Sequence, residues 1–200
     1  MPTRYKAADK RTGVAVRRAS AEFQNLRLRF RPDHLNVVLL KKYTKAMYAR
    51  LEKADREMMI AIAMATYDDL DREGAAEVVD GVLSAYDPVT GYVYHREVIR
   101  KRDRLVESMA AAQDRAAMQE AISRAQRLWV AQMKQFADEV VDAAMIKSYR
   151  DAGIGRVRWV TVPDAKRCTR CAELDGEEFS IDDIPSKPHR HCRCYVVPVE

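Results

Sequence analysis

Cys168-Thr169-Arg170-Cys171 and His189-Arg190-His191-Cys192-Arg193-Cys194 hold every cysteine of this 200-residue chain within its last 33 positions. A C-x-x-C pair offers two sulfurs from one tight turn, and H-x-x-C-x-C offers two or three further ligands from a second. Two such turns facing each other form the tetrahedral sulfur and nitrogen cage that Zn2+ prefers, so the spacing points to a structural metal before it points to catalysis. A closed site has four positions, whereas Cys168, Cys171, His189, His191, Cys192 and Cys194 make six candidates. His189 and Cys192 repeat the knuckle spacing of Cys168 and Cys171, which favours those four. In an extended run Cys192 and Cys194 point to one face, making Cys194 the first substitute. His191 is expected at the surface or behind the ligands.

Other chemistries fit the same residues less well. Two disulfides would imply export, yet residues 1–20 are charged throughout and carry no apolar signal core. A thioredoxin-like pair needs a βαβ context that the flanking sequence lacks. His95-Arg96-Glu97 upstream of a C-x-x-C suggests a zinc deaminase. Arg167 stands where that motif needs proline, however, and a long helical pattern separates His95 from Cys168. No general base is legible beside an open metal position, so the chain is not expected to be an enzyme. The longest apolar run, 58–65, is eight residues and too short for a bilayer, so no membrane partner is expected.

The elements that must carry these ligands differ sharply in texture. From Asp33 to about residue 72 the sequence reads as one long helix capped by Asp33. Its seam is Leu40, Tyr43, Met47, Leu51, Ala54, Met58, Ile62 and Ala65 at spacings of three and four. Gly74 interrupts that pattern, and a shorter helix is expected over 75–86. A turn at 87–91 follows, then Tyr92-Val93-Tyr94 as a brief extended stretch. Helical pattern resumes near His95 and runs in two pieces to Asp151, with Gly153 placed as a C-terminal cap. Beyond Gly155 the period changes to that of a strand: Val157, Trp159 and Thr161 alternate with Arg158, Val160 and Val162. Pro163-Asp164 closes this strand, Leu174-Asp175-Gly176 is a turn, and short strands are expected over 178–181 and 194–199. The resulting fold class is α+β, mainly α, with a long-helix body followed by a small zinc-stapled β module. Three regions are expected: a basic arm at 1–31, a helical body at 32–154 and the metal module at 155–200. So small a module would be marginal alone, and a zinc cage supplies about 10–16 kcal/mol in peptides of this kind.

Charge is unevenly placed. The net charge is +5, but residues 1–31 alone carry +7. Arg4, Lys6, Lys10, Arg11, Arg17, Arg18, Arg27, Arg29 and Arg31 supply it, against only Asp9 and Glu22. Such a stretch reads either as a solvated terminus or as a contact strip for phosphates or an acidic protein surface.

The C-terminal module resembles the phage minor head protein family, the head-morphogenesis or Mu F-type domain. The matching residues are Trp159, Thr161 and Asp164, then Cys168-x-x-Cys171, Leu174-Asp175-Gly176-x-x-Phe179, Pro188-His189-x-x-Cys192-Arg193-Cys194 and Val197-Pro198-Val199. The resemblance covers roughly residues 135–200, and the departures at Lys166, Arg167, Arg190 and His191 leave the ligand candidates intact. It implies a non-enzymatic virion protein of a tailed phage or prophage head, made in host cytoplasm and associated with the portal vertex. Portal or capsid protein would then be the partner, with double-stranded DNA touched non-specifically, in head morphogenesis or DNA packaging and delivery. The competing reading is a zinc-dependent nucleic-acid-binding regulator that uses Arg167, Arg170, Arg190 and Arg193 beside the cage.

Overall fold

The long apolar seams of the sequence become long helices, and the strand-period tail becomes a small sheet. The computed structural model describes residues 3–86, 93–162, 167–189 and 192–199. The turn at 87–91, Tyr92, Pro163-Asp164, Lys166, Arg190 and His191 lie outside the described residues, as do the side chains of Arg4 and Lys6. In chain order the helices are α1 (Thr3–Arg29), α2 (Val37–Thr66), α3 (Arg72–Ser84), α4 (Tyr94–Ala110) and α5 (Arg115–Asp151). The strand β1 (Arg156–Val160), the short helix α6 (Thr169–Leu174) and the strands β2 (Glu178–Ser180) and β3 (Tyr195–Pro198) follow. This is an α+β fold, mainly α. No described helix is long and apolar enough to cross a membrane.

The basic stretch at the N-terminus corrects the expectation of an arm. It is helix α1, packed on α5 and α2. Tyr5, Ala8, Thr12, Ala15, Ala19, Phe23, Leu26 and Phe30 are buried at spacings of three and four. Half of that seam is alanine or threonine, which is why it does not stand out as apolar, yet small residues let helices approach closely. Lys10, Arg17, Arg18, Arg29 and Arg31 face outward. Arg27 turns inward and donates to Ser123 Oγ at 3.2 Å and Gln126 Oε1 at 2.9 Å on α5.

Two helix boundaries also differ from expectation, each because an Asx cap outcompetes the residue chosen from sequence. Asn36, not Asp33, caps α2, its Oδ1 accepting the Leu39 amide at 3.0 Å, while Asp33 lies in a short 3-10 turn. Asp71 caps α3 through the Gly74 amide at 2.8 Å, so Gly74 sits in the first turn of a helix rather than breaking one. A Cβ on Gly74 would meet Leu70 Cδ1 at 3.0 Å and Asp71 Oδ1 at 3.2 Å, a close approach that favours glycine there.

The end of α5 hands the chain to the sheet. Ile154 N–H donates to Tyr149 O and Gly153 N–H to Arg150 O, both at 2.9 Å, with Gly153 at φ +74. This is a Schellman closure, and it turns the backbone sharply into β1. The sheet is antiparallel in the order β2-β1-β3. Val157 and Trp159 are buried on one face, while Arg156 and Arg158 reach Glu178 on the other. The helices share one hydrophobic core, and the sheet region has its own, linked to the first through Ile146, Tyr149 and Tyr195.

Candidate metal centre

Three of the eight buried members of the sheet-side core are cysteines: Cys171, Cys192 and Cys194. A core of this size has little else to pack, so what those sulfurs do decides whether it holds. Cys168 is the N-cap of α6, its Sγ accepting the Cys171 amide at 3.3 Å. That one turn places both sulfurs of the C-x-x-C pair on the same side. The following turn is fixed by Asp175, which accepts the Thr161 amide at 2.9 Å, and by Gly176 at φ +84, whose amide donates to Trp159 O at 2.9 Å. Leu174-Asp175-Gly176 therefore pins α6 against β1 and sets where Cys171 points.

The second ligand turn comes from the other side. His189 Nε2 stands 3.4 Å from Cys171 Sγ, and Cys192 Sγ stands 3.6 Å from it. Donors held about 2.0–2.3 Å from one tetrahedral zinc are about 3.5–3.8 Å apart, so these separations suit neighbouring ligands of one ion. They are far too long for a disulfide, and all four cysteines are free. The donors form two overlapping sets, Cys168, Cys171 and His189, and Cys171, Cys192 and Cys194, each within 4.8 Å and sharing Cys171. Every described candidate thus converges on Cys171. Cys192 and Cys194 are both buried with Arg193 exposed between them, as an extended run requires.

The electrostatics suit a cation. The Cys171 amide lowers the Cys168 thiol below its ordinary value, and His189 adds to this. Burial pushes the Cys171 and Cys194 thiols up instead. Buried thiols resist ionisation until a positive charge is supplied, which a divalent metal does. The cluster can hold a metal.

A second polar cluster sits directly behind the ligands, and nothing in the residue spacing announced it. Lys187, two residues before His189, ion-pairs with Asp142 of α5 and donates to Cys192 O at 3.2 Å. Its ammonium lies 6.0 Å from the centre of the Tyr5 ring, and the Tyr5 hydroxyl donates to Asp142. Burial lowers Lys187, but Asp142 outweighs it and holds the ammonium above its ordinary value. One lysine therefore joins the second ligand turn to α5 and to the first turns of α1.

The basic residues proposed for nucleic-acid or partner contact are not near this centre as a group, since they line α1. Of the arginines flanking the cage, Arg167 pairs with Asp175 at 3.4 Å and Arg170 with Glu173 at 3.0 Å, so neither is a bare cation offered to phosphate.

No curated protein and no solved structure matches the chain. The family described as Phage Mu protein F like protein matches residues 96–197, which takes in α4, α5, both ligand turns and the whole sheet. The match begins well upstream of residue 135, so the helices before the metal module carry family signal that their composition alone did not reveal. With more than half of its length matched, including every described ligand candidate, the chain belongs to the phage Mu F-like family.

Proposed function

We propose that this chain is a structural minor head protein of a tailed phage or prophage, acting at the portal vertex in head morphogenesis or DNA packaging and delivery. The observation that carries this reading is the family match spanning α4 to β3. In this reading the protein is not an enzyme. Its metal is structural zinc, held by Cys168, Cys171, His189 and Cys192, with Cys194 able to take the fourth place. The ion would supply a tetrahedral crosslink between the two ligand turns, and those turns would bring charge-compensated sulfurs into a core otherwise short of large side chains. The five helices provide long rigid faces for a portal or capsid subunit, and the outward basic face of α1 provides non-specific contact with DNA.

The test is location. In particles purified from the producing phage or induced prophage, quantitative mass spectrometry should find this chain in heads, at low copy relative to capsid protein. It should persist through density-gradient purification. A chain found only in the soluble host fraction, never with heads, would contradict the proposal. Sequence-selective DNA binding by that soluble protein would establish the regulator reading instead.

A further inference from the structure

Between α5 and the metal-bearing loops runs a cleft of about 450 Å3. Phe136 and Ile146 of α5 form one apolar wall, with Trp159 and Ile184 opposite, and Tyr86 at the end of α3 forms the lip. Tyr86 is 66 % exposed, a large aromatic that the fold leaves in solvent at the entrance. The cleft is also acidic. Asp138, Glu139 and Asp142 all line it, and Asp142 is matched by Lys187. Glu139 accepts a neutral donor, Gln135 Nε2, at 3.0 Å. Among the described residues no cation stands within ion-pairing distance of Asp138. A half-buried carboxylate without a cation, beside apolar walls, gains from a positive group more than an exposed one does.

We infer that this cleft receives a segment of a partner protein in which a large apolar side chain adjoins a lysine or arginine. The apolar side chain would lie between Ile146 and Ile184, and the cation would meet Asp138. A volume of this size holds roughly two or three side chains, in the ordinary range for a specific pocket. Charge makes the choice of occupant. The chain is basic overall, at +5, so a basic segment is repelled elsewhere and drawn to this acidic cleft. Nucleic acid is disfavoured by the same carboxylates. Because one wall is built from the loops that carry His189, Cys192 and Cys194, the cleft exists only while the metal turns are in place.

The inference rests on the proposed function for the identity of the partner, and the experiment separates the two. Tyr86 is replaced by photoreactive benzoylphenylalanine in the full chain. The protein is then mixed with purified portal or capsid protein of the same phage, irradiated and mapped by mass spectrometry. The expected crosslink falls on a stretch with an apolar residue next to Lys or Arg. Its yield should drop roughly tenfold with Asp138→Lys or Ile184→Ser, variants whose helicity and metal content are checked against the parent. A crosslink indifferent to both variants, or mapped to a stretch without a basic residue, overturns the inference. So does binding to either protein by sedimentation without any crosslink at Tyr86, which leaves the head-protein reading standing. Failure of both proteins to bind at all removes the partner on which both readings rest. A crosslink to the chain itself would replace the partner with a second copy.

Discussion

Lys187 is the residue through which the metal centre and the helices become one structure. It reaches Asp142, Cys192 O and the Tyr5 ring from a single buried position. Removing it leaves the Asp142 carboxylate buried without its cation, a loss of about 3–5 kcal/mol for pairs of this kind. Lys187→Met is therefore expected to lower the chemical-denaturation midpoint and to speed hydrogen exchange in the first turns of α1. The double variant Lys187→Met with Asp142→Leu should recover part of that stability, because the orphaned charge is gone. A single variant as stable as the parent would show that the pair contributes nothing. The ligands themselves were legible from their spacing, since C-x-x-C and H-x-x-C-x-C are local patterns. Lys187, Asp142 and Tyr5 were not, because they lie far apart in sequence and meet only in the fold.

At the scale of elements, what could be read was whatever had a strong period. The seam of α2, the two helices after His95 and the alternation of β1 were visible. So was the turn at Gly176, where φ +84 needs glycine. Helix α1 was missed because its seam uses alanine at 8, 15 and 19, and its many basic residues suggested a solvated arm. Its burial changes how the DNA contact must be tested. Deleting residues 1–31 would strip Phe23 and Leu26 from the core, so the informative variant alters the outward face alone. Arg17→Gln with Arg18→Gln should leave folding intact and weaken binding to duplex DNA. It should also flatten the dependence on salt, by about 0.9 in log–log slope for each phosphate no longer neutralised. Binding unchanged in strength and salt slope would take α1 out of any DNA contact.

Helix α2 carries a second consequence of burial. Asp55 is only 2 % exposed, and desolvation, with Glu52 nearby, pushes its carboxyl up to about 8. The unfolded chain loses this proton near its ordinary value of 3.8, while the folded chain keeps it. Stability should therefore fall as pH rises across that window, by about 1.4 kcal/mol per pH unit at most, and level off above it. Asp55→Asn should remove this slope, so its advantage over the parent in urea unfolding grows from about pH 5 to about pH 8. Parallel pH profiles for the two proteins would show that Asp55 does not titrate in this way.

At the scale of the whole molecule, a helical body and a sheet with too little core of its own meet at a cluster of thiols. Whether a metal completes that cluster decides whether the sheet holds. The most direct measurement is the zinc content of the full chain purified without chelator, compared with Cys171→Ser. Cys171 is the sulfur shared by both donor sets, so its loss should empty the site and melt the sheet while most helical signal remains. The expected result is close to one zinc per chain in the parent and none in the variant. Less than about a tenth of an equivalent in the parent, with all four thiols freely titratable in the folded protein, would contradict it.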